Sequence, residues 1–269
     1  MNTNIEDDIL IATPFDTDTI KAELKVETSF GSEVYDQRQP SEQALPFVRL
    51  MFHGGAKRAD HNNTFENAAQ NVNKDYENSA KIYRINTAQD IIKKINEQKD
   101  NSIQSIDFFT HGGKEALYFK NSGIFNLNNS LYINKKSDQG GWLGNSGSLD
   151  GINFSKFTND AKIEMHGCNT ASIDGENVDD ENFAKYFSQK LFDAGKKNAV
   201  VIGHVVNANP NRDSSEKSDY RHGVRRIYHG GQILFRTQKE GRITANMINK
   251  YLELKEKQRE KYDGSKQKE

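Results

Sequence analysis

Short apolar runs alternate with helical patterns over most of the chain. Five runs rich in branched or aromatic residues predict strands, at residues 47–52, 81–85, 105–110, 161–165 and 198–206. Apolar residues recur at helical spacing in three segments between them: 64–78, 88–98, and the stretch holding Phe183, Phe187 and Leu191. Strands that alternate with helices in this way predict an α/β fold with a mainly parallel sheet.

Polar and small residues mark the ends of these elements. Thr87 is the predicted N-cap of the second helix, and Asp179 or Asp180 that of the third. Gly195 is placed to end the third helix. The Gly230-Gly231 pair within RRIYHGGQILFRT predicts a hairpin.

The pattern divides the chain into three parts. Residues 1–45 carry two weak strand signals, ILIAT and ELKVET, and are expected to form an N-terminal extension or hairpin; a prosegment, a sheet extension and a partner-docking arm all fit. Residues 46–243 form the main domain, which contains a Gly/Asn/Ser-rich insert with strand-like pieces such as ALYF and LYI. Residues 244–269 predict a helix that gives way to a charged, disordered tail.

Composition and charge restrict the class of protein. The 269 residues have a formal net charge of −1, so no global field favours nucleic acid or an anionic membrane. No apolar run approaches the ~20 residues that span a bilayer, and the acidic start, MNTNIEDDILIATPF, does not resemble a secretory signal. A single cysteine excludes an internal disulfide framework. We expect a protein that is cytoplasmic, or exported by a route independent of a signal peptide.

Groups with reactive side chains directly follow three of the predicted strands. These groups are His53-Gly54-Gly55, His111-Gly112-Gly113 and His166-Gly167-Cys168. Ligands of parallel α/β sheets bind beyond the carboxyl ends of the strands. The three groups are therefore the first candidates for a functional site.

A charged residue lies four positions before each of these ends. Arg49, Asp107 and Glu164 precede His53, His111 and Cys168 respectively, and even spacing places each charge on the same face of its strand as the terminal group. If the strands are neighbours, the three charges could form one buried ion cluster beneath the site. Alternatively, the alternation only marks half-exposed strands.

Cys168 has two interpretations. A lone cysteine can be an inert buried residue. A nucleophilic cysteine needs a base within reach and backbone N–H groups directed at the developing oxyanion. His111 would supply the base and the amides of Gly112 and Cys168 the oxyanion hole, with Gly112 allowing close approach because it has no Cβ.

The blocks IDFFTHGG (106–113) and IEMHGCNTA (163–171) resemble the caspase-like cysteine peptidases of clan CD, in particular the bacterial CHAT, gingipain and metacaspase-like branch. The distance along the chain from His111 to Cys168 is close to the roughly 50 residues between the histidine and cysteine of caspases. The resemblance covers roughly residues 47–236. It implies a three-layer sandwich with a mainly parallel central sheet of about six strands flanked by helices. It also implies that His111 is the catalytic histidine and Cys168 the nucleophile.

Substrate contacts are implied less directly. In this family the loop after the first strand lines the S1 pocket, which indicates His53 or Asp60, and residues after the fifth strand contribute, which indicates Asn207 and Asp213. An acidic pocket would favour Arg or Lys at P1. His53 could equally cap its strand in a Gly-Gly turn, and Asp60 and Asp213 could be solvated. Because Gly167 follows His166, where caspases have Ala after Gln, substrate preference does not carry over.

The remaining histidines are assigned structural positions or no role. His166 is expected to fill its strand rather than support Cys168, and His204 to be a core histidine. His222 and His229 flank a basic stretch that we expect to be exposed.

No cofactor is expected. The seven histidines show no zinc-ligand spacing, and no phosphate-binding glycine motif occurs. An acidic group after the cysteine could hold calcium, as in some family members, or could cap the following helix: Asp174, Glu176, Asp179 and Asp180.

The sequence thus predicts a caspase-like cysteine endopeptidase that acts on a protein or peptide and binds neither nucleic acid nor membrane. The insert 114–160 and the loop 207–223 would shape its cleft, and cleavage in one of them would accompany self-activation. The Lys- and Asn-rich composition and the bacterial-type motif suggest a bacterial protein, for example a delivered toxin or effector. The alternatives are a non-catalytic peptide-binding module or pseudoenzyme, and a Cys-His acyltransferase or amidase.

Overall fold

The structure is a computed structural model, and it describes residues 9–10, 47–54, 64–119, 130–134, 147–173, 181–208 and 219–266. These residues contain twelve strands: β1 (Ile9–Leu10), β2 (Val48–His53), β3 (Lys81–Arg84), β4 (Ile103–Phe109), β5 (His111–Gly112), β6 (Ala116–Tyr118), β7 (Ser130–Tyr132), β8 (Gly147–Ser148), β9 (Phe157–Met165), β10 (Val200–His204), β11 (Arg225–His229) and β12 (Gln232–Thr237). They also contain four α-helices: α1 (Thr64–Lys74), α2 (Ala88–Asn96), α3 (Phe183–Asp193) and α4 (Ala245–Lys266).

Eight of the strands form the central sheet, in the order β1-β12-β11-β10-β9-β4-β2-β3. The five strands from β3 to β10 run parallel, and β11, β12 and β1 continue the sheet antiparallel. The predicted α/β fold with a mainly parallel sheet is confirmed. The sheet is larger than the expected six strands and mixed in orientation because a hairpin and β1 extend it.

The antiparallel extension depends on the predicted glycine turn. Gly230 and Gly231 join β11 to β12 with φ of 57° and 71°, values that glycine adopts without steric cost. Ile9 and Leu10 then pair with Thr237 and Arg236 of β12. This part of the N-terminal segment therefore adds an edge strand to the sheet.

The helix ends follow local capping chemistry. Thr87 caps α2 in a reciprocal capping box with Asp90, as predicted. The N-cap of α3 is Asn182, not Asp179 or Asp180: its side chain accepts from the Lys185 N–H and donates to the Tyr228 hydroxyl at 2.9 Å. A buried amide that serves both the cap and the sheet fixes where α3 begins.

Helix α4 is longer than predicted. It continues to Lys266, so the charged tail from residue 255 is helical rather than disordered over most of its length. Tyr251 of α4 stacks on Phe235 of β12 with the ring centroids 4.1 Å apart, and Ile248 is also buried. Packing of this turn against the sheet stabilises the helix, whose charged continuation the sequence pattern does not predict.

Helices pack on both faces of the central sheet. Strand alternation places Phe52, Ile163 and Val201 in one apolar cluster, which includes residues of α2 and α3. On the opposite face, Met51 belongs to a cluster with α1, and Ile202 to a cluster with α4. The register puts Asp107 and Glu164 on this second face, between the α1 and α4 clusters.

The insert after β4 forms a second, small sheet in the order β5-β6-β7-β8. The ALYF and LYI pieces supply β6 and β7, as predicted, and His111 and Gly112 pair with Tyr118 and Leu117. Backbone pairing with β6 therefore fixes His111 and Gly112, which follow the end of β4. In the described part of the chain, no helix is long and apolar enough to cross a membrane.

Candidate active site

His111 and Cys168 follow two adjacent strands. Strands β4 and β9 are parallel neighbours, with Asp107 opposite Glu164 and Phe108 opposite Met165. His111 lies two residues beyond the end of β4 and Cys168 three beyond the end of β9. Both residues therefore lie at the carboxyl edge of the sheet, where ligands of parallel α/β sheets bind.

Gly112 and Gly167 bring the two segments into backbone contact. A Cβ on Gly112 would lie 2.7 Å from the Cys168 carbonyl oxygen and 2.9 Å from the Gly167 carbonyl carbon. A Cβ on Gly167 would lie 3.0 Å from the Gly112 N and Cα atoms. Only glycine at both positions allows this approach, and the contact places the chain next to His111 against the chain that carries Cys168.

Cys168 is partly exposed in a turn that follows β9. Its Sγ lies 3.7 Å from the Ala208 carbonyl oxygen, and its N–H has no acceptor among the described residues. Asn169, which follows it, adopts the left-handed region with φ of 58°. The Asn169 N–H donates to the Val206 carbonyl at 3.2 Å, and its side chain donates to Asn207 Oδ1 at 3.0 Å. The loop after β10 thus holds the cysteine turn.

Two aromatic rings connect the surroundings of His111 and Cys168. Phe65 of α1 meets His111 edge to face at 5.2 Å and Tyr220 at 5.6 Å between centroids. Tyr220 has φ of 58°, an unusual value for a bulky residue. Burial raises the pKa of Tyr220, and the nearby Cys168 raises it further. Strained residues of this kind concentrate at functional sites.

The predicted ion cluster exists, but one member differs. Asp107 and Glu164 are adjacent, buried and on one face, as predicted. Arg49 is on the same face, but its guanidinium stands over the Tyr76 ring at 5.4 Å and contacts Ser79. The prediction that Arg49 is the counter-ion is therefore wrong, because Arg49 lies opposite Ser105, two residues before Asp107 along the strand.

The counter-ions are two arginines that the sequence analysis did not select. Arg221 Nη2 lies 3.6 Å from Asp107 Oδ1 and 3.5 Å from Glu164 Oε2, and its Nη1 lies 2.7 Å from Asp75 Oδ2. Arg225 Nη1 donates to Glu164 Oε1 at 3.1 Å. Both arginine side chains are buried, so the expectation of an exposed basic stretch is wrong here.

The charges in this cluster support one another. Burial by itself would raise the pKa of Glu164, but Arg221, Lys162 and Arg225 lower it well below the usual range. Burial by itself would lower the pKa of Arg221, but Glu164 and Asp107 raise it. Glu164 is therefore a carboxylate and Arg221 a cation at neutral pH. Removal of either member would leave an unpaired buried charge.

His166 is a structural part of the same cluster. Its ring stacks on Phe109 with centroids 4.1 Å apart, and its Nε2 lies 2.9 Å from Asp107 Oδ1. Asp107 Oδ2 accepts from the Tyr76 hydroxyl at 3.2 Å. His166 is a buried structural residue, as expected, but it lies one residue beyond β9 rather than within the strand, and its contacts also fix the chain two residues before Cys168.

The other histidines are mostly buried. Burial lowers the pKa of His204 to about 3, so this core histidine is neutral. His222 is buried, contrary to the expected exposure, and it directly follows the buried Arg221. His229 is partly exposed, and its Nε2 lies 2.6 Å from the Lys197 carbonyl oxygen.

Of the predicted substrate-binding residues, Asn207 is exposed beside the cysteine turn. His53 is only 6% exposed, and burial lowers its pKa. Its side chain therefore offers little surface to a substrate. Asp60 and Asp213 lie outside the described residues, as do all four acidic candidates for calcium, Asp174, Glu176, Asp179 and Asp180.

One group of side chains in the described part of the chain has the composition of a metal site. Ligand atoms of Asp107, Glu164 and His166 lie within 4.8 Å of one another. However, Arg221 Nη2 already contacts both carboxylates. A guanidinium at this position supplies the positive charge that a metal ion would bring, so we interpret the group as an ion-pair network.

Comparisons with protein-family models, with curated proteins and with solved structures find no match to this chain.

Proposed function

We propose that this protein is a cysteine endopeptidase of the caspase-like type, with Cys168 as nucleophile and His111 as acid and base. The observation that carries the proposal is the glycine contact at the ends of β4 and β9. It brings the His111 segment against the backbone of Cys168, where a Cβ on Gly112 would overlap the cysteine carbonyl at 2.7 Å.

The sheet supports the same assignment. In chain order, the five parallel strands stand in the arrangement 2-1-3-4-5. This is a doubly wound order in which ligands bind beyond the carboxyl ends near the reversal of strand order. His111 follows the third strand, which borders this reversal, and Cys168 follows the fourth, its neighbour. A caspase-like sandwich, with helices on both faces and one dyad member after each of these strands, agrees with this arrangement.

The proposed reaction proceeds in two stages. His111 takes the proton of the Cys168 thiol, and the sulfur attacks the scissile carbonyl carbon while the carbonyl π electrons move to oxygen. The intermediate collapses to a thioester as the amine leaves with the proton from His111. A water molecule, deprotonated by His111, then attacks the thioester, releases the carboxylic acid and restores the thiol.

Two backbone amides are available for the oxyanion. The N–H of Cys168 has no acceptor among the described residues, and Gly112 lies against the carbonyl groups of Gly167 and Cys168 on either side of it. A pair of such donors stabilises the tetrahedral intermediate more than the planar amide. We therefore assign the oxyanion hole to the amides of Gly112 and Cys168.

The substrate cleft extends from Cys168 along the loop after β10. Asn207 is exposed there and bonded to Asn169, which makes it the first candidate for contact with the peptide backbone. A basic P1 residue remains the expected preference if Asp60 or Asp213 lines the pocket.

The proposal is tested with internally quenched peptide libraries. The wild-type protein should cleave a subset, whereas Cys168→Ala and His111→Ala should reduce the rate to background with unchanged circular dichroism. His229→Ala, a histidine change at the distant hairpin, should retain activity. Proteolysis by Cys168→Ala would contradict the assignment.

The same assay addresses the alternatives. Transfer of an acyl group to an added amine, or hydrolysis of small amides without peptide cleavage, would indicate an acyltransferase or amidase. Binding of library members without turnover would indicate a peptide-binding module or pseudoenzyme. Self-processing would appear as Cys168-dependent cleavage within 114–160 or 207–223, and a role as a delivered bacterial effector would require a protein target cleaved by the same dyad.

A further inference from the structure

The backbone of Tyr220 is held in place by neighbouring residues rather than by the Tyr220 side chain. The preceding residue, Asp219, accepts from the N–H of Arg221 at 3.0 Å through Oδ1. The ring of His204 lies next to the backbone of Tyr220. These two contacts fix the main chain on both sides of a residue whose φ is 58°.

The strongest restraint is the buried guanidinium that follows Tyr220. Arg221 contacts Asp75 after α1, Asp107 of β4 and Glu164 of β9, at 2.7, 3.6 and 3.5 Å. The Arg221 side chain has no exposed surface. The segment that carries Tyr220 is thus attached through one side chain to three elements of the chain.

Tyr220 in turn lies at the site. Its ring packs on Phe65, and Phe65 contacts His111. Ala208 packs against the same apolar cluster, and its carbonyl oxygen is 3.7 Å from Cys168 Sγ. Tyr220 is therefore connected to His111 through Phe65, and to Cys168 through the apolar cluster that Ala208 contacts.

We infer that Arg221 is a positioning residue, whose ion pairs hold Tyr220 in its left-handed conformation against Phe65 and beside Cys168. Tyr220 then limits access to the thiol and fixes the wall on which His111 rests. A left-handed tyrosine is unfavourable by itself, so the ion pairs maintain a conformation that the free loop would leave. The catalytic part of this inference rests on the proposed peptidase function; the positional part does not.

The test uses the only cysteine of the chain, which makes the rate of alkylation by iodoacetamide a direct report on Cys168. Tyr220→Gly retains the backbone conformation but removes the ring, and it should increase the rate by about threefold or more as access to the thiolate improves. Glu77→Gly is the matched control, because Glu77 is an exposed residue with φ of 53° away from the site, and its rate should equal that of the wild type.

Arg221→Met removes the cation with little change of length, and its rate should rise to that of Tyr220→Gly. If Arg221 acts through Tyr220, the double variant should react no faster than either single variant. An unchanged rate in Tyr220→Gly, or increases that multiply in the double variant, would overturn the inference. If Arg221→Met does not fold, the alkylation rate of Tyr220→Gly compared with that of Glu77→Gly still tests whether Tyr220 limits access to Cys168.

Peptide cleavage measured on the same proteins separates the two proposals. For an active wild type, kcat should fall on the order of 100-fold in Tyr220→Gly, because a displaced reacting group loses its alignment. Altered alkylation with no cleavage by any protein would retain the positioning role and reject the peptidase. Peptide cleavage together with unaltered alkylation rates would retain the peptidase proposal and reject the positioning role of Arg221 and Tyr220.

Discussion

Gly112 lies so close to Cys168 that a Cβ on the glycine would be 2.7 Å from the cysteine carbonyl oxygen. The Cys168 carbonyl oxygen and the Gly167 carbonyl carbon belong to the backbone, and the third nearest atom, Thr170 Cγ2 at 2.7 Å, belongs to a fully buried side chain, so none of them can easily move aside. The His111 segment and the cysteine turn can therefore approach this closely only because residue 112 has no Cβ.

Gly112→Ala should reduce peptidase activity strongly and lower the free energy of unfolding by about 1–3 kcal/mol, because the new methyl group forces the two segments apart. Gly113→Ala is the matched control, since its Cβ would meet only the Tyr118 ring at 3.2 Å. Urea denaturation and peptide cleavage measure the two effects. Equal activity of the two variants would show that the contact does not position the site.

Glu164→Gln should lower the free energy of unfolding by about 3–5 kcal/mol, because it leaves the buried Arg221 and Arg225 without a full counter-charge. Glu97→Gln removes an exposed partner of Lys94 at 3.2 Å and should cost under about 1 kcal/mol. Thermal and urea unfolding of both variants test this contrast. Similar losses in the two would mean that the buried cluster is not a stabilising network.

Stability should decrease as the pH falls from about 6.5 toward 4. Burial lowers the pKa of His204 from 6.5 to about 3, so in this range the unfolded chain binds a proton that the folded chain excludes. The full stability contribution is present above pH 6.5, and the slope from this one group is at most about 1.4 kcal/mol per pH unit. His204→Gln should reduce the slope measured by urea unfolding across this range. An unchanged slope would assign the acid sensitivity to other groups, such as His53.

The order of helices and strands was predictable because each element is specified by residues that lie close together in the sequence. The Thr87 capping box, the Gly230-Gly231 turn and the apolar strand of residues 200–204 are all encoded within a few residues. The position of the His111 and Cys168 segments at one edge of the sheet was predictable from the rule that ligand sites lie at the carboxyl ends of parallel strands. Their proposed pairing as a dyad came from the family resemblance and stays a prediction.

The missed features depend on contacts that are distant along the chain. Arg221 pairs with Asp75, which lies 146 residues earlier in the chain, and no local pattern distinguishes it from a solvated arginine. Alternation in the RRIYH strand offered a partial signal, since Arg225 and Ile227 share a face and Ile227 is buried. Asn182 was overlooked as a helix cap because the nearby aspartates are equally good caps in isolation.

The most direct test of the proposed dyad is covalent labelling of Cys168 by peptidyl electrophiles, followed by intact-mass measurement and peptide mapping. We predict one adduct on the wild-type protein, located at Cys168, and a large loss of labelling rate in His111→Gln, while iodoacetamide still alkylates both proteins. Equal labelling rates in the two proteins, or no peptidyl adduct although iodoacetamide reacts, would contradict the assignment of His111 and Cys168 as a catalytic pair.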